Sequence, residues 1–228
     1  MKNIAIITAR GGSKRIPKKN IKEFCGKPII AYSIEAALNS GMYDEVMVST
    51  DSEEIAEIAK KYGAQVPFLR SEKTSNDFAT TRDVLDEVIE EYKKRGKSFD
   101  FMTCIYPTAP FVTAQKLKDA VTKLSESDAD WAMPVTAYSF PPQRAMVIRD
   151  GGLEYQYPEY KNTRSQDLEP IYHDCGQFYV YKIDVYMGDE QGSGKVLPLI
   201  TPEEETQDID NISDWIIAEI KYQKFIEK

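Results

Sequence analysis

The chain has 228 residues, enough for one sizeable α/β domain and short for two full ones. Its 42% hydrophobic and 29% charged residues form an ordinary globular mixture, and a net charge of −8 argues against a general nucleic-acid binder. No apolar run nears the roughly 20 residues that span a bilayer, and Cys25, Cys104, Cys175 and the single His173 are too scattered for a disulfide framework or a zinc site, so a reducing cytoplasm is the expected compartment.

In chain order, Ile4–Ala9 is a near-continuous apolar run, as expected of a strand covered on both faces of a parallel sheet. Pro28 opens a helix with Ile30, Ile34, Ala37 and Leu38 on one face, closed by Gly41. Val46–Thr50 reads as the second strand. Asp51 and Glu54 then make a capping-box-like start to a helix carrying Ile55, Ile58, Ala59 and Tyr62, stopped by Gly63. A short strand is predicted near Val66–Leu69, then a helix with Val84, Leu85, Val88, Ile89 and Tyr92, ended by Gly96. Phe101–Ile105 is a buried strand, Leu117, Ala120, Val121 and Leu124 mark a helix, and Trp131–Thr136 is a further strand. Strands alternating with helices imply an α/β fold with a doubly wound, mostly parallel sheet, Rossmann-like in class.

The rhythm changes after Thr136. Residues 138–172 are rich in Tyr, Pro, Arg and Gln, with β-like pieces at Met146–Arg149 and Leu153–Tyr155. So long a stretch without regular structure is uncommon in a compact domain. It reads as a β-arm inserted into a single domain spanning 1–228, and its aromatic content suits a dimer interface better than a lid on its own subunit. Strands near Gln177–Tyr181 and Val196–Ile200 return to the sheet, and Asn211 caps a last helix with Trp215, Ile216 and Ile220 on its face.

Three constellations carry chemistry. The loop after the first strand holds Arg10, Lys14, Arg15, Lys18, Lys19 and Lys22 with no acidic residue between, an abrupt sign reversal in an acidic chain. Ligands in open α/β sheets bind beyond the carboxyl ends of strands. Gly11 and Gly12, with Ser13 beside them, let backbone N–H groups approach an anion closely. A triphosphate fits this loop better than a solvated basic turn does. The pattern is neither GxxxxGK[ST] nor GxGxxG, so it is no P-loop or dinucleotide fingerprint. Asp208 and Asp210 flank Ile209, and residues i and i+2 of an extended backbone project to one side. Two such carboxylates suit Mg²⁺, although acidic residues before a helix are also favoured by its dipole. Arg144 and the run Asn162–Asp167, with Arg164 and Gln166, offer guanidinium forks for a carboxylate-bearing ligand; on spacing alone they could equally form structural ion pairs.

Taken together, Ala9-Arg10-Gly11-Gly12-Ser13-Lys14 through Pro17, Lys19 and Asn20 resembles the signature loop of the acylneuraminate cytidylyltransferases. Ser49-Thr50-Asp51, Arg70, Pro107-Thr108-Ala109-Pro110 and Asp208-Ile209-Asp210 follow in that family's order, so the resemblance covers essentially the whole chain. The segments Asn162–Pro170 and His173–Tyr179 are similar to the branch that activates pseudaminic acid. The resemblance implies transfer of a cytidylyl group from CTP to an acidic nine-carbon sugar, with Mg²⁺ as cofactor and a homodimer as the assembly. It implies that Arg10, Lys14 and Lys19 hold the triphosphate and act in catalysis, and that Asn20, Arg70, Thr80 and Thr81 line the cytosine pocket. Asp208 and Asp210 would hold the metal, and Tyr106, Arg144, Arg164, Gln166 and Tyr179 would form the sugar side. Relatives exchange the arm across a two-fold axis, so Arg144 and Arg164 are expected to serve the neighbouring subunit.

Two departures separate the chain from the sialic acid enzymes. Tyr106 stands where they usually carry Gln, which favours a less polar nonulosonate; sialic acid, legionaminic acid and the eight-carbon acid KDO remain as alternatives. Gly11-Gly12 stand where Gln-Asn is common, a change that leaves phosphate binding untouched. From another class, a silent nucleotide- or glycan-binding module would use the same fold, but it has no need of an Asp208/Asp210 platform.

Overall fold

The computed structural model describes residues 1–188 and 194–226. The strands are β1 (Asn3–Thr8), β2 (Glu23–Phe24), β3 (Lys27–Pro28), β4 (Glu45–Ser49), β5 (Phe101–Ile105), β6 (Trp131–Ala137), β7 (Met146–Arg149), β8 (Gly152–Tyr155), β9 (Tyr172–Asp174), β10 (Phe178–Lys182) and β11 (Val196–Ile200). The helices are α1 (Ile29–Ser40), α2 (Glu53–Lys61), α3 (Glu72–Ser75), α4 (Thr81–Lys94), α5 (Ala114–Ser125), α6 (Ile183–Gly188) and α7 (Ile212–Phe225). A seven-stranded sheet runs β11-β6-β10-β5-β1-β4, with β9 added on β6. β1 pairs in parallel with β4 and β5, and β11 with β6, whereas β10 runs antiparallel between β5 and β6. The sheet is therefore mixed, with a parallel majority.

Ile4, Ile6, Ile7 and Ala5 are wholly buried, because α1 covers one face of β1 and α4 covers the other. That sandwiching explains why β1 and β5 read as unbroken apolar runs rather than alternating ones. β6 contains Pro134, which has no N–H to give. Its carbonyl takes the Cys175 N–H at 3.1 Å, where the chain breaks between β9 and β10. Gly176 turns there with φ +61°, a left-handed conformation that suits glycine.

Several expectations need correction. No strand forms at 66–69. Gln65 makes one isolated parallel bridge to Met47, and Pro67 follows with no donor to extend a ladder. α2 is capped by Ser52, whose hydroxyl accepts from the Ile55 N–H, not by Asp51. α7 turns Trp215 and Ala218 inward and leaves Ile216 and Ile220 more than half exposed. Among the described residues no helix is long and apolar enough to cross a membrane.

Residues 138–171 leave the sheet at the end of β6 and return beside it. Tyr138 N–H donates to the Ile171 carbonyl at 2.9 Å, and β9 pairs Tyr172 with Ala137. Between these points lie short 3₁₀ turns and the β7–β8 hairpin; the hairpin exposes Met146, Ile148 and Leu153, and the flanking turns expose Phe140 and Tyr157.

A smaller core cluster supports the loop after β1. Phe24 meets Tyr32, Trp215 and Tyr222 edge to face at 5.6, 5.5 and 5.5 Å between ring centroids, a favourable quadrupolar geometry. Ile16 and Ile209 are buried in the same cluster. Replacing Trp215 with Ala is expected to cost about 3–5 kcal/mol. Urea unfolding monitored by circular dichroism checks this, with the midpoint falling at unchanged slope.

Candidate active site

The order β4-β1-β5 places β1 between two parallel neighbours, so the loops after β1 and β5 diverge and open a crevice at their carboxyl ends. A cavity of about 430 Å³ occupies it, lined by Thr8, Arg10, Ser13, Lys14, Arg15, Lys19 and Asn20 on one side and by Tyr106–Thr108 on the other. The loop's backbone is held from three directions. Asn20 is buried and its side-chain amide donates to the Arg10 carbonyl at 2.9 Å. Gly11 N–H donates to Asp51 at 2.8 Å, and a Cβ on Gly11 would meet that of Ser52 at 3.2 Å, so the close approach favours glycine. Lys18 takes a left-handed conformation and its ammonium pairs with Glu54. Gly12 faces open space.

The acidic pair lies at the rim of this crevice. Ile209 is 1% exposed, while Asp208 is exposed and Asp210 half-exposed, as the alternation predicts. Lys19 Nζ donates to the Ile209 carbonyl at 2.7 Å, which seats its ammonium beside both carboxylates. Burial lowers the Lys19 pKa, and Asp210 and Asp208 oppose that shift. Arg15 pairs with Asp210 at 2.6 Å. Asp214, in the α7 capping box, accepts the N–H of Asp210 and fixes the turn below it. Among the described residues no three His, Cys, Asp or Glu gather as a metal site. Two hard carboxylate oxygen donors still suit Mg²⁺, whose remaining positions go to phosphate oxygens and water.

The expected base-side residues are placed differently from one another. Arg70 is buried and its guanidinium is turned onto Ser49, donating to the carbonyl at 2.7 Å and the hydroxyl at 3.1 Å; it does not line the cavity. Thr80 caps α4, with its hydroxyl engaged in a reciprocal pair with Asp83. Thr81 is the first residue of α4, and burial raises the Tyr106 pKa while Thr81 opposes that shift. On the sugar side, Tyr106 and Tyr179 meet edge to face at 5.6 Å, and Tyr179 donates to Asp174 at 2.6 Å. Arg144, Arg164 and Gln166 stay on the arm. Arg144 contacts Ser165 at 3.3 Å, Arg164 pairs with Asp167 at 2.8 Å, and none of the three lines the cavity of its own chain.

Sequence reasoning missed Asp77. It lies between α3 and α4 and binds both Arg10, at 2.8 Å, and Lys14, at 2.5 Å, which together hold its carboxyl below the usual range. Its only sequence signal is an acidic residue in a polar connection. Burial pushes the Cys104 thiol up to about 12 and raises that of Cys175 as well, which disfavours the thiolate at both.

A family model described as Cytidylyltransferase matches residues 4–188. The chain is 41% identical over 227 residues to the pseudaminic acid cytidylyltransferase of Campylobacter jejuni strain NCTC 11168, covering 98% of this chain and 97% of that protein. It is 35% identical to the CMP-N,N'-diacetyllegionaminic acid synthase of Legionella pneumophila, covering 96% and 95% of the two chains. A solved CMP:2-keto-3-deoxy-manno-octonic acid synthetase complexed with CTP superposes over the whole of both chains with a TM-score of 0.72 at 18% identity, a likeness of fold.

Because Asp77 neutralises two of the loop's cations, Asp77→Asn is expected to tighten binding of inorganic triphosphate. The gain is about two- to fivefold, the scale of an exposed ion pair. Isothermal titration at fixed ionic strength measures it.

Proposed function

This chain belongs to the cytidylyltransferase family, and we propose that it transfers CMP from CTP to the anomeric hydroxyl of pseudaminic acid, an acidic nine-carbon sugar, releasing pyrophosphate. The observation that carries the assignment to this crevice is the contact of Lys19 with the Ile209 carbonyl, which joins the basic loop to the acidic pair at one end of the cavity. The 41% identity across nearly the whole chain supports the sugar, and Tyr106 in place of the glutamine of sialic acid enzymes agrees with it.

Transfer of this kind asks a protein mainly for positioning and for stabilisation of charge. Arg10 and Lys14 bind the β- and γ-phosphates once the triphosphate displaces Asp77 from them. Lys19, fixed by its backbone contact, faces the α-phosphate and stabilises charge that develops on the transferred group. The Gly12 N–H is the backbone donor that the loop offers the anion, because the Gly11 N–H is engaged by Asp51 and that of Ser13 by the Gly11 carbonyl. Asp208 and Asp210 would hold Mg²⁺, which when bound neutralises phosphate charge and polarises the attacking hydroxyl. Asn20, Thr80 and Thr81, with Arg70 bracing the end of β4, form the base side, and Tyr106 and Tyr179 face the sugar.

The arm residues Arg144, Arg164 and Gln166 complete the sugar side of a partner subunit in a homodimer. Their self-contained positions and the apolar surface of the β7–β8 hairpin support that arrangement. The enzyme works in the cytoplasm, where CTP is made.

Mass spectrometry of the product formed from CTP, Mg²⁺ and pseudaminic acid tests the proposal; the CMP–sugar is the expected species, and a sugar left unchanged would overturn it. Lys19→Ala and Asp210→Ala are expected to lower turnover about 10²–10³-fold, the scale of a lost charge-stabilising group, with thermal midpoints close to wild type. Pyrophosphate release under saturating CTP measures this loss. CTP is expected to be preferred over UTP, ATP and GTP in the same assay.

A further inference from the structure

One cation of the crevice has no part in the roles above. Arg15 lines the cavity beside Arg10, Lys14 and Lys19, and its guanidinium meets Asp210 Oδ1 at 2.6 Å. The backbone sets this pairing from both sides. Arg15 precedes Ile16 and Asp210 follows Ile209, and each isoleucine is 1% exposed in the cluster around Phe24 and Trp215. Lys19 ties the two segments together through the Ile209 carbonyl, and Asp214 accepts the Asp210 N–H at 2.9 Å. The anchors of the pair are therefore fixed, while the Arg15 side chain is 67% exposed and its head can turn.

We propose that Arg15 is an exchangeable counter-ion that couples metal binding to nucleotide binding: a divalent cation that takes the Asp210 oxygen releases the guanidinium, which then grips the triphosphate in the same cavity. The inference deepens the function proposed above and rests on its assignment of Asp210 to Mg²⁺. A guanidinium and a hard divalent cation seek the same kind of partner, an ionised oxygen. They do not share Asp210 Oδ1 at close range, because like charges repel there. Exchange is easy, since an exposed ion pair contributes little. A triphosphate alone gains little by taking Arg15, because the bare Asp210 charge is then left facing its own. A cation on Asp210 removes that repulsion, and the planar guanidinium fork matches paired phosphate oxygens.

The neighbouring cations are placed differently. Arg10 and Lys14 share Asp77, which has no metal to hold, and Lys18 pairs with Glu54 outside this cavity. Lys19 is held by a backbone carbonyl and stays whether or not Asp210 changes partner. Among the described residues, Arg15 is the cation of the loop that forms an ion pair with the acidic pair.

Binding measurements on the full-length protein test this with Arg15→Gln, a change at an exposed position that is expected to leave the thermal midpoint in place. Mn²⁺ alone, followed by the electron paramagnetic resonance of the free ion, is expected to bind the variant about two- to fivefold tighter, because it no longer displaces an ion pair. In EDTA, CTP is expected to bind wild type and variant within about twofold of each other. At saturating Mg²⁺ it is expected to bind the variant about tenfold more weakly, the scale of one charge-assisted hydrogen bond. Arg15→Lys, which keeps the charge without the fork, is expected to fall between the two. An equal loss of CTP affinity with and without Mg²⁺ would reduce Arg15 to a plain electrostatic contribution. Unchanged CTP affinity in both conditions would leave it a structural ion pair, and a Mn²⁺ affinity that does not rise would mean that the two cations do not compete. Each of these results overturns the inference while leaving the cytidylyltransferase reading intact. A wild type that binds CTP in neither condition would sink that reading, and this inference with it.

Discussion

The site depends on two apolar side chains sharing one small core. Ile16 from the basic loop and Ile209 from between the two aspartates are both buried against Phe24, Phe111 and Trp215. Water drives both inward, and the charged neighbours of each are carried to the same rim. The Lys19–Ile209 hydrogen bond, between residues 190 apart in sequence, then fixes the distance between the cationic and the anionic half. Neither half needs long-range electrostatics to find the other, because the hydrophobic cluster has already set their approach.

The charges at the crevice are paired locally. Arg10 and Lys14 lean on Asp77, Arg15 on Asp210, and Lys18 on Glu54. These are exposed ion pairs, individually worth little, and a polyphosphate with several charges can displace them at small cost. Lys19 differs because its partner is a backbone carbonyl in a half-buried place. It stays where it is when the surrounding side chains exchange partners.

Much of this was legible in sequence because it follows from periodicity and from residue type. The apolar runs of β1 and β5, the glycine stops of α1 and α2 and the alternation at Asp208–Asp210 all appear where the pattern puts them. What failed depended on tertiary context. Ile216 and Ile220 have the spacing of a buried face, yet Trp215, Ala218 and Tyr222 pack inward because Phe24 and Tyr32 offer edge-to-face partners there. The direction of β10 could not be read from its own residues, since an apolar strand looks alike in either orientation. Arg70 has the composition of a ligand-binding residue but is turned onto the end of β4. Asp77 becomes recognisable only when the distant loop carrying Arg10 and Lys14 is brought beside it.

The clasp between Tyr138 and Ile171 has a further consequence. Everything between those residues hangs from a single pair of adjacent backbone positions, so the intervening peptide can grow, shrink or be replaced wholesale while the register of β6 and β9 beneath it stays unchanged. The loop after β1 lies toward the other edge of the sheet, so such edits leave its framework of β4, β1 and β5 as it was.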